Sequence, residues 1–288
     1  MPLDRLDECE CAPRPGDIPD VFLEYERFGE DGGLLLARFE DERWRTDELG
    51  EHILEWLLDF ALPRDQRLKL AVGNSRKMER RATKSVFGEL RTHNAVGEIL
   101  LHIACRQVAR SMLVIPKVWF KTASGDEVKG FDGVHAVHGE NGLELWLGEA
   151  KFYKSMSGGA HSAARSLAKA LEHSYLRGEM LVVAPRIEDL APHKAELQAL
   201  MDENTPIMDI VSRIVIPILI VGDSNALSGG IGEGPETEAA LIAEHRHLRD
   251  LIRRNVGDVE VQMRFFTVPL DAKEALVAAV DRRVAIWR

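Results

Sequence analysis

Two acids and a lysine carry the most legible chemistry in this chain. Gly130-Phe131-Asp132-Gly133-Val134-His135 is followed, after Asn141-Gly142, by Glu149-Ala150-Lys151. Successive side chains of a strand alternate faces, so Glu149 and Lys151 leave the same face. Leu147 and Leu145 precede them on that face, so the pair ends an apolar, core-facing row. A hairpin then places Asp132. With Glu140-Asn141 as the two-residue turn, Asp132 falls opposite Glu149; with Asn141-Gly142, whose sequence suits a type I′ turn, it falls opposite Lys151. Both registers put the three side chains on one face. A slip of one residue would set Asp132 against Ala150 and destroy the arrangement.

Carboxylates held side by side repel unless a cation lies between them, and hard oxygen donors favour Mg²⁺ or Mn²⁺. Such an ion takes few protein ligands and keeps waters and substrate phosphate in its other positions. It lowers the pKa of a bound water and polarises a phosphoryl oxygen. A lysine beside it orients that water and stabilises charge on the phosphate. The expected roles are metal ligands for Asp132, Glu149 and the carbonyl of Ala150, and water positioning for Lys151. These are the parts of metal-assisted phosphodiester hydrolysis.

The elements that must position them can be read from periodicity. Val21–Phe28 and Gly33–Phe39 suit strands around a turn at Glu30-Asp31-Gly32-Gly33, and a helix begins at Thr46 and ends at Pro63. Ala95, Val96, Ile99, Leu100, Ile103, Ala104 and Val108 recur at helical spacing up to about Ser111. Strands are expected over Met112–Lys121, Lys129–Val137 and Leu143–Phe152, then a helix over Ala160–Arg177. A short strand at Met180–Ala184, a helix at Pro192–Asp202 and a buried strand at Ile214–Val221 follow. The chain closes with a helix from Glu236 to Arg254, a strand over Val259–Val268 and a helix over Ala272–Ile286. Mixed order of this kind predicts an α/β fold, a mixed sheet flanked by helices.

Composition agrees with a folded, water-soluble chain. Its 288 residues are 45% hydrophobic and 29% charged, which excludes disorder and fibrous classes. Three cysteines, Cys9, Cys11 and Cys105, cannot form a disulfide framework. The longest apolar run, Ile214–Val221, is far short of the roughly 20 residues that span a bilayer. A cytoplasmic protein without membrane contact is expected. The net charge of −10 is uneven: residues 1–60 hold 18 acids against 6 bases, a balance of −12, and the remainder carries +2. An acid-rich segment either solvates a surface or docks on a basic partner. The strongest basic run is Arg76, Lys77, Arg80, Arg81 and Lys84, against the single acid Glu79.

Helix, strand, hairpin with Asp132, Glu149-Ala150-Lys151 and helix together resemble the core of the PD-(D/E)xK, or restriction-endonuclease-like, nucleases over Phe87–Arg177. Gly130-Phe131 stands where that pattern often has a proline before the acid. In the superfamily a further acid often comes from the helix before the first strand; Glu98 occupies that place, with Glu89 a second candidate. More narrowly, GFDGVHAV followed by LELWLGEAKFYKS resembles the HamA family, the nuclease subunit of Hachiman anti-phage defence systems. The resemblance implies a Mg²⁺-dependent DNA endonuclease of little sequence specificity, working beside a superfamily 2 helicase that restrains it. It divides the chain into an acidic docking region, 1–75, and a nuclease domain, 76–288. The run Arg76–Lys84, Lys154 and the helical stripe His161, Arg165 and Lys169 would hold backbone phosphates. Two other readings stay open: a non-catalytic adaptor of the same fold, or a nuclease for RNA.

The remaining motifs suggest bland roles. His135 points to the face opposite Asp132, and His245-Arg246-His247 reads as helix surface. The loop Ser228–Gly234 lacks the Gly-Lys-Ser/Thr ending of a phosphate-binding loop and reads as a flexible connection.

Overall fold

The computed structural model describes residues 22–28, 31–68, 75–88, 92–116, 131–139, 142–187, 191, 193–228 and 232–287. The chain opens with β1 (Glu24–Arg27), β2 (Gly32–Leu36), and a small ribbon of β3 (Phe39–Glu40) and β4 (Arg43–Trp44). Helices α1 (Thr46–Glu55), α2 (Leu57–Ala61), α3 (Arg64–Leu68), α4 (Ser75–Phe87) and α5 (Thr92–Ala109) follow. Then come β5 (Met112–Leu113), β6 (Gly133–Gly139), β7 (Gly142–Ser155), α6 (Met156–Ala170) and α7 (His173–Val183). The last part holds α8 (Lys194–Leu200), α9 (Ile207–Val211), β8 (Ile214–Asp223), α10 (Pro235–Val256), β9 (Gln262–Leu270) and α11 (Lys273–Trp287).

Among the described residues, seven strands form one mixed sheet in the order β1-β2-β9-β8-β7-β6-β5. The three pairings from β2 through β9 and β8 to β7 are parallel; the outer ones are antiparallel. β8 lies in the middle, and its run of Ile, Val and Leu is buried on both faces, as a covered parallel strand requires. Pro217 interrupts that run and has no N–H to donate. The β7–β8 ladder steps from Trp146↔Val215 to Glu149↔Ile218, leaving Pro217 in the gap and resuming at Glu149.

Each face of the sheet has its own apolar core. On one, α5 lies over the hairpin, with Ile99, Leu100 and Ile103 fully buried. A Cβ added to Gly148 would come within 2.6 Å of the Leu101 side chain of α5, which would have to shift to admit it. On the other face Leu143, Leu145 and Leu147 of β7 meet Ala160, Ala163 and Leu167 of α6. Ser155 caps α6, its hydroxyl accepting from the Gly158 N–H at 3.2 Å.

The predicted mixed sheet flanked by helices is present, with several differences in detail. Met180–Ala184 is not a strand. Leu176, Met180 and Val183 recur at helical spacing and bury one side of α7, and a short apolar run cannot by itself distinguish the two states. The helix expected over Ala160–Arg177 is two helices, α6 and α7, broken at Leu171-Glu172. Only Met112–Leu113 of the strand expected to run to Lys121 is seen as strand, and residues 117–130 lie outside the described ones.

The boundary expected near residue 75 adjoins residues 69–74, also outside the described ones. On both sides of it the chain shares one sheet and one core: β2 pairs with β9, and Leu23, Ile53 and Trp56 pack in the same cluster as Ile99 and Val284. Many acids of the first sixty residues meet bases of the chain itself. Glu24 and Glu26 pair with Arg38, Asp31 with Arg253 at 2.6 Å, and Asp47 and Glu51 with Arg282 and Arg283 of α11. No helix among the described residues is long and apolar enough to cross a membrane.

Candidate active site

The hairpin adopts the first of the two registers. Pairing runs from Gly133↔Gly148 to Gly139↔Gly142, so Asp132 falls opposite Glu149, with residues 140 and 141 outside the described ones. Asp132 sits at the mouth of β6. Its N–H donates to the Gly148 carbonyl at 2.8 Å, and its Oδ2 accepts from the Ala150 N–H at 2.8 Å. The carboxylate thus takes the place of the next backbone carbonyl of β6. Within a strand residue the N–H and C=O point to the same side. The Ala150 carbonyl is therefore directed to the edge where Asp132 stands.

Glu149 is only 4% exposed, on the sheet face covered by α6. It forms an ion pair with Lys151 and accepts a hydrogen bond from the Ser166 hydroxyl of α6. Burial, and then the charge of Asp132, push its carboxyl above the ordinary carboxylate range, against the pull of Lys151 and Ser166. Burial also opposes the charge on Lys151, but Glu149 and Asp132 outweigh it and hold the ammonium more firmly protonated than usual. Lys151 is therefore a cation at neutral pH and acts as a charge and a donor, not as a base.

The donor set fits a hard divalent cation. Two carboxylates, Asp132 adding to the cost of ionising Glu149, converge beside a carbonyl, all of them oxygen donors. Glu149 Oε1 is buried with no hydrogen-bond partner, and its contact is the Lys151 ammonium, which fills the role of counter-ion. No group of three or more His, Cys, Asp or Glu able to hold a metal occurs among the described residues. Mg²⁺ commonly takes only one or two carboxylates and keeps waters and phosphate for the rest.

Other predicted residues divide into near and far. His161, Arg165 and Lys169 form an exposed row on α6, one position before Ser162 and Ser166, which touch the motif strand. The Lys169 ammonium lies 5.7 Å from the Tyr175 ring, whose hydroxyl is pushed up in pKa by burial, then by the charge of Glu179 and, less, by that of Glu149. Lys154 is exposed and pairs with Glu274 at 3.4 Å. Glu98 stands on α5, where its neighbour Gly97 packs on Phe152 and Ala150, the face opposite Glu149 and Lys151. The structure thus joins Asp132, Glu149 and Lys151 and leaves Glu98 on the helix across the sheet. Glu89 lies outside the described residues. Arg76, Lys77, Arg80, Arg81 and Lys84 are exposed on α4, which belongs to the α5 side.

Sequence reasoning missed Ser166, whose distance along the chain hides its approach to Glu149. It also missed a buried polar ring on the opposite face. Asp59 of α2 accepts from His102 Nε2 at 2.8 Å, from Arg106 at 2.9 and 3.3 Å, and from Arg67. His102 Nδ1 lies 3.4 Å from His135 Nε2, and His135 Nδ1 lies 2.8 Å from the Ser111 hydroxyl. Arg106 donates to the Ser111 carbonyl at 2.6 Å and closes the circuit. Burial works against the Asp59 charge, but Arg106, His102 and Arg67 hold its carboxyl far below the carboxylate range. Burial keeps both imidazoles neutral. One assignment then satisfies every member: Ser111 donates to His135, His135 to His102, and His102 to Asp59. His135 does face away from Asp132, as expected. His245 does not lie on the surface: with Leu241, Leu248 and Ile252 it faces inward, and its Nδ1 lies 2.9 Å from the Thr267 hydroxyl.

Comparison with known proteins gives one family. The family model HamA matches residues 20–284. No curated protein and no solved structure matches the chain.

Proposed function

Since the chain belongs to the HamA family, a membership that points to a component of Hachiman anti-phage defence, we propose that it is a Mg²⁺-dependent DNA endonuclease that cuts with little sequence preference. The observation that carries this reading is the corner where Asp132 holds the Ala150 N–H and meets Glu149 and Lys151 on one face. The order α5, three antiparallel strands, α6 and the parallel strand β8 also supports the PD-(D/E)xK resemblance.

Asp132, Glu149 and the Ala150 carbonyl would hold the cation. Bound there, Mg²⁺ supplies Lewis-acid polarisation of a phosphoryl oxygen and a water of lowered pKa. Lys151, on the same face beside Glu149, would donate to the attacking water and to the charge gathering on the phosphate. Ser166 keeps the Glu149 carboxylate aimed at the corner. His161, Arg165 and Lys169 line the approach along α6 and would hold the phosphates on either side of the bond being cut. Contacts to the backbone alone carry no sequence information, which accords with little sequence preference.

A superfamily 2 helicase is the proposed restraining partner, with residues 1–75 as the proposed contact. The acids already paired with Arg38, Arg253, Arg282 and Arg283 are taken, so docking would fall to the rest of that segment.

The test is cleavage of plasmid DNA by the purified protein with Mg²⁺, with EDTA, and with Glu149→Ala. Cutting should need Mg²⁺ and fall by about 10²–10³-fold or more in the variant. An undiminished rate in Glu149→Ala would remove the catalytic assignment. Failure of both forms to cut would favour an adaptor; with a structured RNA offered in parallel under the same conditions, cutting of the RNA alone would move the substrate to RNA.

A further inference from the structure

The basic run lies where the corner cannot use it. On α4, Ala82, Val86 and Phe87 turn inward and are at most 2% exposed, packed in the cluster that holds α5. Helix α5 in turn seats on Gly148, Ala150 and Phe152, while α6 covers the face of Glu149 and Lys151. The sheet therefore stands between α4 and the corner. A stretch of phosphate backbone lying on α4 is not the stretch being cut.

Its geometry nevertheless suits phosphate. Arg76, Arg80 and Lys84 recur every four residues, with Lys77 and Arg81 beside them, and all five are exposed. Glu79 is the only acid on the helix. At 1.5 Å per residue the stripe is about 12 Å long. One strand of a duplex presents a charge every ~3.4 Å along the axis, so the stripe spans about three or four phosphates. Arg81 is steadied by a hydrogen bond of 3.0 Å to Gln66 of α3.

We propose that the outward face of α4 is a second binding surface for the phosphate backbone of DNA, separate from the corner at Glu149, so that long duplexes are held at two places and preferred over short ones. Once one segment is bound, the other surface meets the same molecule at a high effective concentration, which strengthens binding only when the duplex is long enough to reach both. The proposal rests on the nuclease reading for what the corner takes, but binding can be measured without cutting.

The experiment uses the full chain carrying Glu149→Gln, so that DNA is not consumed. Fluorescence anisotropy gives its affinity for labelled duplexes of about one turn and about six turns, over a series of salt concentrations. The comparison protein adds Arg76→Gln, Lys77→Gln, Arg80→Gln, Arg81→Gln and Lys84→Gln; a third instead adds Arg76→Lys, Arg80→Lys and Arg81→Lys. In the Gln protein, affinity for the long duplex should fall by about 10-fold or more, and the salt slope should become shallower by about two to four. The preference for long over short should collapse, and the Lys protein should keep it. Equal affinities and slopes in parent and Gln protein would overturn the proposal, as would a loss of the same size for both lengths. Absence of cleavage by the chain without Glu149→Gln would count against the corner's chemistry and leave this binding result standing.

Discussion

The ring around Asp59 and the corner around Glu149 occupy opposite faces of the same hairpin, and they treat buried charge in opposite ways. In the ring the Asp59 carboxylate has Arg106, His102 and Arg67 as partners, and its proton affinity is driven down. At the corner the Glu149 carboxylate is equally out of water but faces a second acid, and its proton affinity is driven up. One cluster is complete within the chain; the other would be completed by the cation proposed for it. Burial is common to both, so burial does not mark a site. What marks it is whether the charges around the buried group cancel.

If that contrast holds, the two clusters should respond to different perturbations. The largest effect should come from Asp59→Ala, which strands Arg106 and leaves His102 without an acceptor. A loss of about 3–5 kcal/mol of stability is expected, read from the midpoint of urea unfolding. A loss below about 1 kcal/mol would mean that the ring is not closed as described.

Acid should be next. An unfolded histidine takes up its proton near 6.5, whereas His102 and His135 stay neutral in the fold. As the pH falls below 6.5 the unfolded state binds more protons, and stability declines by up to about 1.4 kcal/mol per unit for each histidine. His52 and His245 are lowered by burial too and add to the slope. Exchanging His135 for Gln should flatten the decline between pH 6.5 and 5.5 by about one histidine's share. Asp59 contributes only later, because its stabilisation is lost as the pH drops below 3.8. An unchanged slope in the His135 variant would break the neutral-imidazole assignment.

The smallest effect belongs to the corner. Mg²⁺ at ten times its Kd should raise stability by about 1.4 kcal/mol through preferential binding to the fold. Thermal melts should show this in the parent and lose it in Glu149→Ala, while the His135→Gln protein keeps it. A shift retained without Glu149 would place the cation elsewhere.

How far these clusters could be read in the sequence differs for the same physical reason. Asp132, Glu149 and Lys151 lie on two strands joined by a tight turn, so period-two alternation and a count of residues suffice to bring them together. Asp59, His102, Arg106, Ser111 and His135 come from two helices, a loop and a strand, and no spacing connects them. The pairing of Asp47 with Arg282 is equally silent, which is why the first sixty residues look more acidic on paper than in the fold. His245 was legible after all: Leu241, Leu248 and Ile252 recur around it at helical spacing, a stronger signal than its two polar neighbours.

The parallel pairing of β2 with β9 bears on how the protein is made. Gly32 finds its partner, Phe265, more than two hundred residues later. A ribosome adding about 5–20 residues per second delivers that partner tens of seconds after β2 emerges. Until then β2 and the core that Leu34 and Leu36 complete must wait, although β6, β7 and the residues of the corner have already been synthesised. Contacts of such long sequence separation form late and cooperatively. Chains that stop before residue 262 cannot form β9 at all. Unfinished translation products thus carry the motif without the finished sheet around it.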